Sequence, residues 1–289
     1  MIHIYGATGY VGREFCVYLD AYNREYWVIR ARDQTRDTLN QIFKHQKPEL
    51  VLNCAGYTGH PNVDACEDHR MECASGNITF PHRLAEVCYS HDVPMGHISS
   101  GCIYTGKRPD GKGFTEEDKP NFTFEQKNCS FYSGTKAMAE KYLFDFPEVW
   151  QWRLRIPFNN DMECPRNYLY KLLNYKRLLN AENSLSQINQ FVVACMICVK
   201  KRFPFGIYNI TNPGSVTTKR ITELFNKYMV PPRDFQFFES DEAFNATVKA
   251  PRSNCVLDSS KIINLGVPLP PLEEELDKAI RIGLHYDPQ

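Results

Sequence analysis

Tyr132 and Lys136, in the stretch FYSGTKAMAE, stand four positions apart and share one face of any helix that carries them. A phenol beside an ammonium can give and take a proton, because the positive charge favours phenolate and brings the phenol pKa toward neutrality. Upstream, SSGCIY (99–104) sets Ser100 and Cys102 two positions apart where an apolar run ends. In an extended segment they point to the same side. Ser100 supplies a second hydrogen-bond donor for an oxygen that gains charge. Cys102 reads two ways: a small buried hydrophobe, or a base for a carbon acid, since a thiol of pKa about 8.5 needs only modest depression to form thiolate. YxxxK is common by chance, and its weight here comes from its place, one helix after the fourth strand.

A second constellation lies at the start of the chain. Gly6-Ala7-Thr8-Gly9-Tyr10-Val11-Gly12 is a GxxGxxG between an apolar run and an amphipathic one. Glycines permit a tight turn and close approach of backbone to a pyrophosphate, whose charge a helix N-terminus stabilises. After the second apolar run come Arg30, Arg32 and, further on, Arg36, while Asp33 stands late for a ribose hydroxyl. Guanidiniums suit a 2′-phosphate, so the stretch favours NADPH over NADH. Asn53, Ala55 and Gly56 end the third run and would let a cofactor ribose lie against the backbone.

These groups need a scaffold that brings strand ends together. Apolar runs at 2–6, 26–32, 49–56, 94–104 and 149–158 read as strands. Amphipathic runs at 11–22, 37–46, 77–91 and 130–146 read as the intervening helices. Repeated β-α-β units with right-handed crossovers predict an α/β fold, a Rossmann-like doubly wound parallel sheet. Beyond 158 the pattern loosens. A helix is expected over 169–180, a strand over 205–212 that rejoins the sheet, and mixed helix and loop thereafter. The division expected is a dinucleotide-binding part, 1–158, and a smaller mixed α/β C-terminal substrate-binding region, 159–289.

Bulk properties narrow the class. The chain has 289 residues, 43% hydrophobic and 24% charged, with 34 basic and 34 acidic side chains. Balanced charge offers no field for nucleic acid or an anionic membrane, and no apolar run is long enough to span a bilayer. The eleven cysteines are odd in number and scattered through apolar segments, and MIHIYGATG lacks the charged and apolar regions of a leader. A reduced, cytoplasmic setting follows (the host cytoplasm if the source is viral). Cys195 and Cys198 have CxxC spacing without a second ligand pair, so they read as core and no metal is expected. His60, His82 and His97 read as structural.

Together Ser100, Tyr132 and Lys136 resemble the catalytic set of the extended short-chain dehydrogenase/reductase superfamily. Longer strings narrow this resemblance: AGYTGHPNVDACE (55–67), SGCIY (100–104), FTEEDKPNFT (114–123), FYSGTKAMAE (131–140), CPRNYLYKLLNY (164–175), NITNPGSVT (209–217) and APRSNCVLDSSKI (250–262). They resemble the bifunctional UDP-4-keto-6-deoxyglucose 3,5-epimerase/4-reductases that make UDP-L-rhamnose in plants and some giant viruses, relatives of dTDP-4-dehydrorhamnose reductase. The resemblance implies NADPH as cofactor and a nucleotide-sugar substrate. It makes Cys102 the base that epimerises C3 and C5, and Lys171 the opposing acid. Tyr132 becomes the proton donor at the C4 oxygen, with Ser100 as second donor and Lys136 binding the ribose. Asn62, Asn167, Arg252 and Asn254, with Arg166, become candidates for the nucleotide. A homodimer through the helices near 77–91 and 130–146 is implied, as is a separate upstream 4,6-dehydratase. Two rivals stand beside this reading: a monofunctional dTDP- or UDP-4-keto-sugar reductase, and a non-catalytic NADPH-binding regulatory subunit.

Overall fold

A computed structural model describes residues 1–32 and 34–286. Asp33, read above against the cofactor ribose, therefore lies outside the described residues. Six strands build the central sheet: β1 (Ile2–Tyr5), β2 (Tyr26–Ile29), β3 (Leu50–Asn53), β4 (Met95–Ser100), β5 (Val149–Leu154) and β6 (Gly206–Asn209). They lie in the order β2-β1-β3-β4-β5-β6, every pair parallel. Chain direction across the sheet reverses between β1 and β3, the place where ligands meet strand ends in doubly wound folds.

The connecting segments are helices because their apolar residues recur at helical spacing and must meet the sheet. They are α1 (Tyr10–Ala21), α2 (Arg36–His45), α3 (Phe80–Ser90), α4 (Phe131–Leu143), α5 (Tyr168–Asn174), α6 (Ile188–Lys200), α7 (Thr218–Tyr228) and α8 (Leu272–Gly283). On one sheet face Phe15 and Leu19 of α1 and Phe191, Cys195 and Cys198 of α6 pack on Ile2, Ile4 and Trp152. Cys195 and Cys198 are thus core residues. On the other face Leu39 and Phe43 of α2 and Leu84 and Val87 of α3 cover Tyr5, Val51 and Met95. A third apolar cluster joins Leu169 and Leu172 of α5, Ile221 and Phe225 of α7 and Leu276 and Ile280 of α8.

Three expectations change. Strands are shorter than the apolar runs: β4 ends at Ser100, and Gly101–Ile103 is a 3-10 turn. Ser100 and Cys102 are therefore related by a turn, not by strand alternation. The helix expected over 169–180 stops at Asn174 because Tyr175 is extended and Leu178 pairs with the 236–238 segment through backbone hydrogen bonds of 2.8 and 3.0 Å. The helix expected over 77–91 begins further back. A short helix, Arg70–Ala74, passes through a π-helical turn, Ser75–Thr79, directly into α3.

Candidate active site

The glycine turn is built as its spacing requires. Gly6 leaves β1 with φ +80°, and a Cβ there would lie 2.5 Å from the backbone nitrogen of Ala55. A Cβ at Gly12 would lie 2.2 Å from the Gly6 carbonyl oxygen. The turn closes through Gly9 N–H donating to Gly6 O at 3.0 Å. Helix α1 then starts with no side-chain cap and no acid in its first turn. Its leading N–H groups are free to meet an anion. Thr8 and Gly9 are exposed, and Val11 is half-buried at the helix start. This is a cradle that fits a dinucleotide pyrophosphate. Tyr10 contributes only its backbone: its hydroxyl is buried with no partner among the described residues, and burial holds the phenol pKa up. Arg30, Arg32 and Arg36 are all exposed beyond β2, where a 2′-phosphate would lie.

Asn53 does not reach toward this cradle. Its amide is buried, contacts His97 Nδ1 at 3.1 Å and accepts from the Ala55 N–H at 3.1 Å. It therefore shapes the strand exit on which Ala55 and Gly56 sit. Gly56 opens the space over Lys136: a Cβ there would stand 3.1 Å from Asn77 Oδ1 and 3.7 Å from Lys136 Nζ.

Ser100, Cys102, Tyr132 and Lys136 come together between β4 and α4. Cys102 N–H donates to Ser100 Oγ at 3.2 Å, and the Cys102 thiol lies near Ser100 and Ser133. Tyr132 packs against the Cys102 cluster, with its phenol near Ser100. Lys136 is buried and donates to the Ile98 carbonyl at 3.1 Å, which ties α4 to β4. Helix α4 is capped by Ser130, whose Oγ accepts from the Ser133 N–H at 3.2 Å.

The electrostatics depart from the sequence-based expectation at two groups. The Tyr132 phenol is pushed well up, not down: burial dominates, and the nearby thiols Cys102, Cys66 and Cys73 add to it. Lys136 leans on a backbone carbonyl, and burial lowers its own pKa. The phenol is accordingly held protonated, ready to donate. Burial also raises the Cys102 thiol, opposed by the neighbouring hydroxyls of Ser100 and Ser133 and by the charges of Arg155 and Lys136.

Lys171 lies in a second cluster. Burial lowers its pKa, and the charges of Arg166 and Arg252 push it further down, strengthening it as an acid. Arg166 donates to Thr58 Oγ1 at 3.1 Å and to the Gly59 carbonyl at 3.0 Å. Arg252 grips Asp64 with two bonds of 2.8 Å. Burial works against the Asp64 carboxylate, yet the Arg252 bonds hold its pKa below the usual carboxylate value. Asn254 Oδ1 accepts from Asn183 at 3.2 Å, and Asn62 Oδ1 accepts from the Asp64 N–H at 2.8 Å. Asn167 is a correction. Its fully buried amide caps α5 through the Leu169 N–H at 3.1 Å, accepts from the Asn159 N–H at 3.4 Å, and donates to the Asn159 and Asp161 carbonyls at 2.9 and 2.6 Å. Nothing on that side chain is left for a substrate.

Several contributors escaped sequence reading. Arg155 is buried, bonds to Asn183 and to the Ser253 carbonyl, and has an Nε with no partner among the described residues. Its charge reaches both Cys102 and Tyr168 of α5, so it stands between the two clusters. Beneath α4, Glu140 and Arg153 form a buried two-bond pair at 2.8 and 2.6 Å, joined by Ser99. Two arginines inside the run VWQWRLRIPF were the available signal, since a charge in a buried strand requires a partner. Asn77, in the π turn, gave none. Its amide accepts from the Tyr57 N–H at 2.8 Å and donates to the Tyr57 carbonyl at 2.9 Å and to Thr135 at 3.1 Å.

A parallel sheet whose first turn cradles a pyrophosphate, with a Ser–Tyr–Lys set at the mouth of its fourth strand, is the construction of an extended short-chain dehydrogenase/reductase. The sequence comparisons agree and go further. The RmlD substrate binding domain matches residues 1–167. An Arabidopsis thaliana bifunctional dTDP-4-dehydrorhamnose 3,5-epimerase/dTDP-4-dehydrorhamnose reductase is 35% identical over 96% of this chain and 91% of its own length. The chain belongs to the RmlD family, in the group that holds these epimerase/reductases. A trifunctional UDP-glucose 4,6-dehydratase/UDP-4-keto-6-deoxy-D-glucose 3,5-epimerase/UDP-4-keto-L-rhamnose-reductase from the same plant is 37% identical over 90% of the chain. The chain spans only 38% of that relative. Among solved structures, the UDP-rhamnose synthase of Acanthamoeba polyphaga mimivirus superposes with TM-score 0.89 at 26% identity, covering 96% of this chain and 98% of the other. The dTDP-4-dehydrorhamnose reductase of Bacillus anthracis, solved in complex with NADP, shares the fold at TM-score 0.80 and 15% identity, with 99% of each chain covered.

Proposed function

We propose that this protein epimerises UDP-4-keto-6-deoxy-D-glucose at C3 and C5 and then reduces C4 with NADPH to give UDP-L-rhamnose. The observation that carries the reading is the gathering of the Cys102 thiol, the Tyr132 phenol and the Ser100 hydroxyl between β4 and α4. The names of the Arabidopsis and mimivirus relatives support it.

A ketone at C4 makes the hydrogens at C3 and C5 removable as protons. The Cys102 thiolate takes them on one face of the ring, and the Lys171 ammonium, sharpened as an acid by Arg166 and Arg252, returns a proton from the other. Ser100 and the protonated Tyr132 hold the oxygen on which enolate charge gathers. NADPH, when bound, supplies the hydride for C4. Tyr132 then gives its proton to the C4 oxygen, and Lys136 binds the cofactor ribose. Arg252 turns from Asp64 toward the diphosphate, with Arg166, Asn62 and Asn254 around the nucleotide.

In this reading residues 1–158, with the returning strand at 205–212, hold the dinucleotide, and 159–289 chiefly the nucleotide sugar. The 4-keto substrate comes from a 4,6-dehydratase, and the bifunctional Arabidopsis relative, named for epimerase and reductase activities alone, supports a separate protein for that step. Met71, Tyr89, Tyr142 and Phe144 are exposed around α3 and α4 and support a homodimer through that face. All eleven cysteines are free thiols, which supports a reduced cytoplasmic setting, and among the described residues no helix is long and apolar enough to cross a membrane.

The test supplies UDP- and dTDP-linked 4-keto-6-deoxyglucose with NADPH in deuterated water. NADPH consumption with deuterium at C3 and C5 of a rhamnose product is expected. Reduction without label would establish a monofunctional reductase, and no NADPH consumption would leave a regulatory NADPH-binding protein.

A further inference from the structure

Ala65–Asp68 form a single helical turn of four residues. So short a turn does not hold itself in water, and its place is set by the groups at its two ends. On one side, Asp64 takes both Arg252 bonds at 2.8 Å and Asp68 pairs with Lys249. On the other, Glu67 Oε1 accepts from the backbone N–H of Phe131 at 2.6 Å, across 64 positions of sequence.

Phe131 is the first residue of α4 and Tyr132 the second. The Phe131 N–H is one of the donors that a helix start leaves without an intrahelical partner. A carboxylate there makes a charge-assisted bond and complements the positive end of the helix dipole. The second Glu67 oxygen faces Arg70 at 3.3 Å, and the Arg70 guanidinium lies 5.3 Å above the Phe131 ring. The carboxylate is thereby held by two groups onto the turn that presents the phenol, and one of them, Arg70, also covers the Phe131 ring.

We infer that Glu67 is a positioning residue for Tyr132, fixing the first turn of α4 from a segment that is itself tied to Arg252. The inference rests on the proposed reaction for what the phenol does. It gives the chain a mechanical path from the Arg252 cluster to the proton donor: Arg252 to Asp64, along the 65–68 turn to Glu67, then to the Phe131 N–H.

The test compares Glu67→Ala with Glu67→Gln in the full chain, reading NADPH oxidation with the keto-sugar and backbone hydrogen exchange over 130–136. Glu67→Ala should lower kcat by about tenfold or more while the KM for NADPH stays within about twofold, as expected when a reacting group is misplaced and binding is not. Exchange over 131–134 should quicken by about tenfold. Glu67→Gln, which keeps an acceptor, should recover kcat to within about threefold. Unchanged kcat and exchange in Glu67→Ala would overturn the inference, as would equal loss in both variants. Should Glu67→Ala not bind NADPH, Glu67→Asp, a methylene too short to reach Phe131, takes its place with the same expectations. Faster exchange alongside a wild type inactive on the keto-sugar would support the Glu67 bond and overturn the proposed reaction instead.

Discussion

The Cys102 N–H and the Ser100 hydroxyl meet at 3.2 Å, with the serine oxygen as acceptor. That one bond closes the turn after β4 and orients the Ser100 hydroxyl. It also places the thiol where Ser133 and the charges of Arg155 and Lys136 favour its ionised form.

Epimerisation should therefore gain rate as pH rises. Burial raises the Cys102 thiol, so at neutral pH the protonated form dominates and the active thiolate is a minor fraction. Below the thiol pKa that fraction grows up to about tenfold per pH unit. The Tyr132 donor, also raised by burial, stays protonated over the same range. Deuterium incorporation at C3, followed from about pH 6.5 to 9, should climb until the Lys171 ammonium, its pKa lowered by burial and by Arg166 and Arg252, begins to lose its proton, while NADPH binding is unchanged. Cys102→Ala should lower it by about 10²-fold or more. A flat profile, or full labelling in the variant, would place the base elsewhere.

Gly12→Ala should weaken cofactor binding. The added Cβ would stand 2.2 Å from the Gly6 carbonyl oxygen, a backbone atom that cannot yield without opening the turn. A fluorescence titration should find the NADPH Kd raised by about tenfold or more, with about 1–3 kcal/mol of stability lost to overpacking. A Kd equal to wild type would show that the cradle is not the cofactor site.

Glu140 and Arg153 should behave as a unit. Glu140→Ala leaves a buried guanidinium uncompensated and should cost about 3–5 kcal/mol in urea unfolding. Adding Arg153→Met removes the stranded charge, so the double variant should be more stable than Glu140→Ala alone. If the two losses simply add, the pair is not the anchor of α4 on β5 that its geometry implies.

The order of β-α-β units was legible because apolar period and glycine position are local properties. Ser100, Tyr132 and Lys136 could be found for the same reason. What escaped were relations between distant segments. Leu178 looked helical until its backbone found the 236–238 segment, and Asn167 looked like a ligand until four backbone carbonyl and amide groups from its own loop took its amide. Tyr132 looked tuned by Lys136, but burial outweighs a charge that leans on the Ile98 carbonyl. Glu67 and Asp64 sat inside a quoted string, and nothing in their type said which helix or guanidinium they would meet.

The π turn at 75–79 has a consequence for how the chain tolerates change. A π turn carries an extra residue relative to α-helix, so the helical run from Arg70 to Ser90 has two halves that are out of phase by about 100°. Asn77 faces Tyr57 and Thr135 because of that offset. Deleting any one residue between 75 and 79 would let the run relax into uniform α-helix and rotate one half against its neighbours. A missing residue here disturbs α3 and the Asn77 contacts at once, whereas a changed side chain disturbs one. The segment is sensitive to length before it is sensitive to composition.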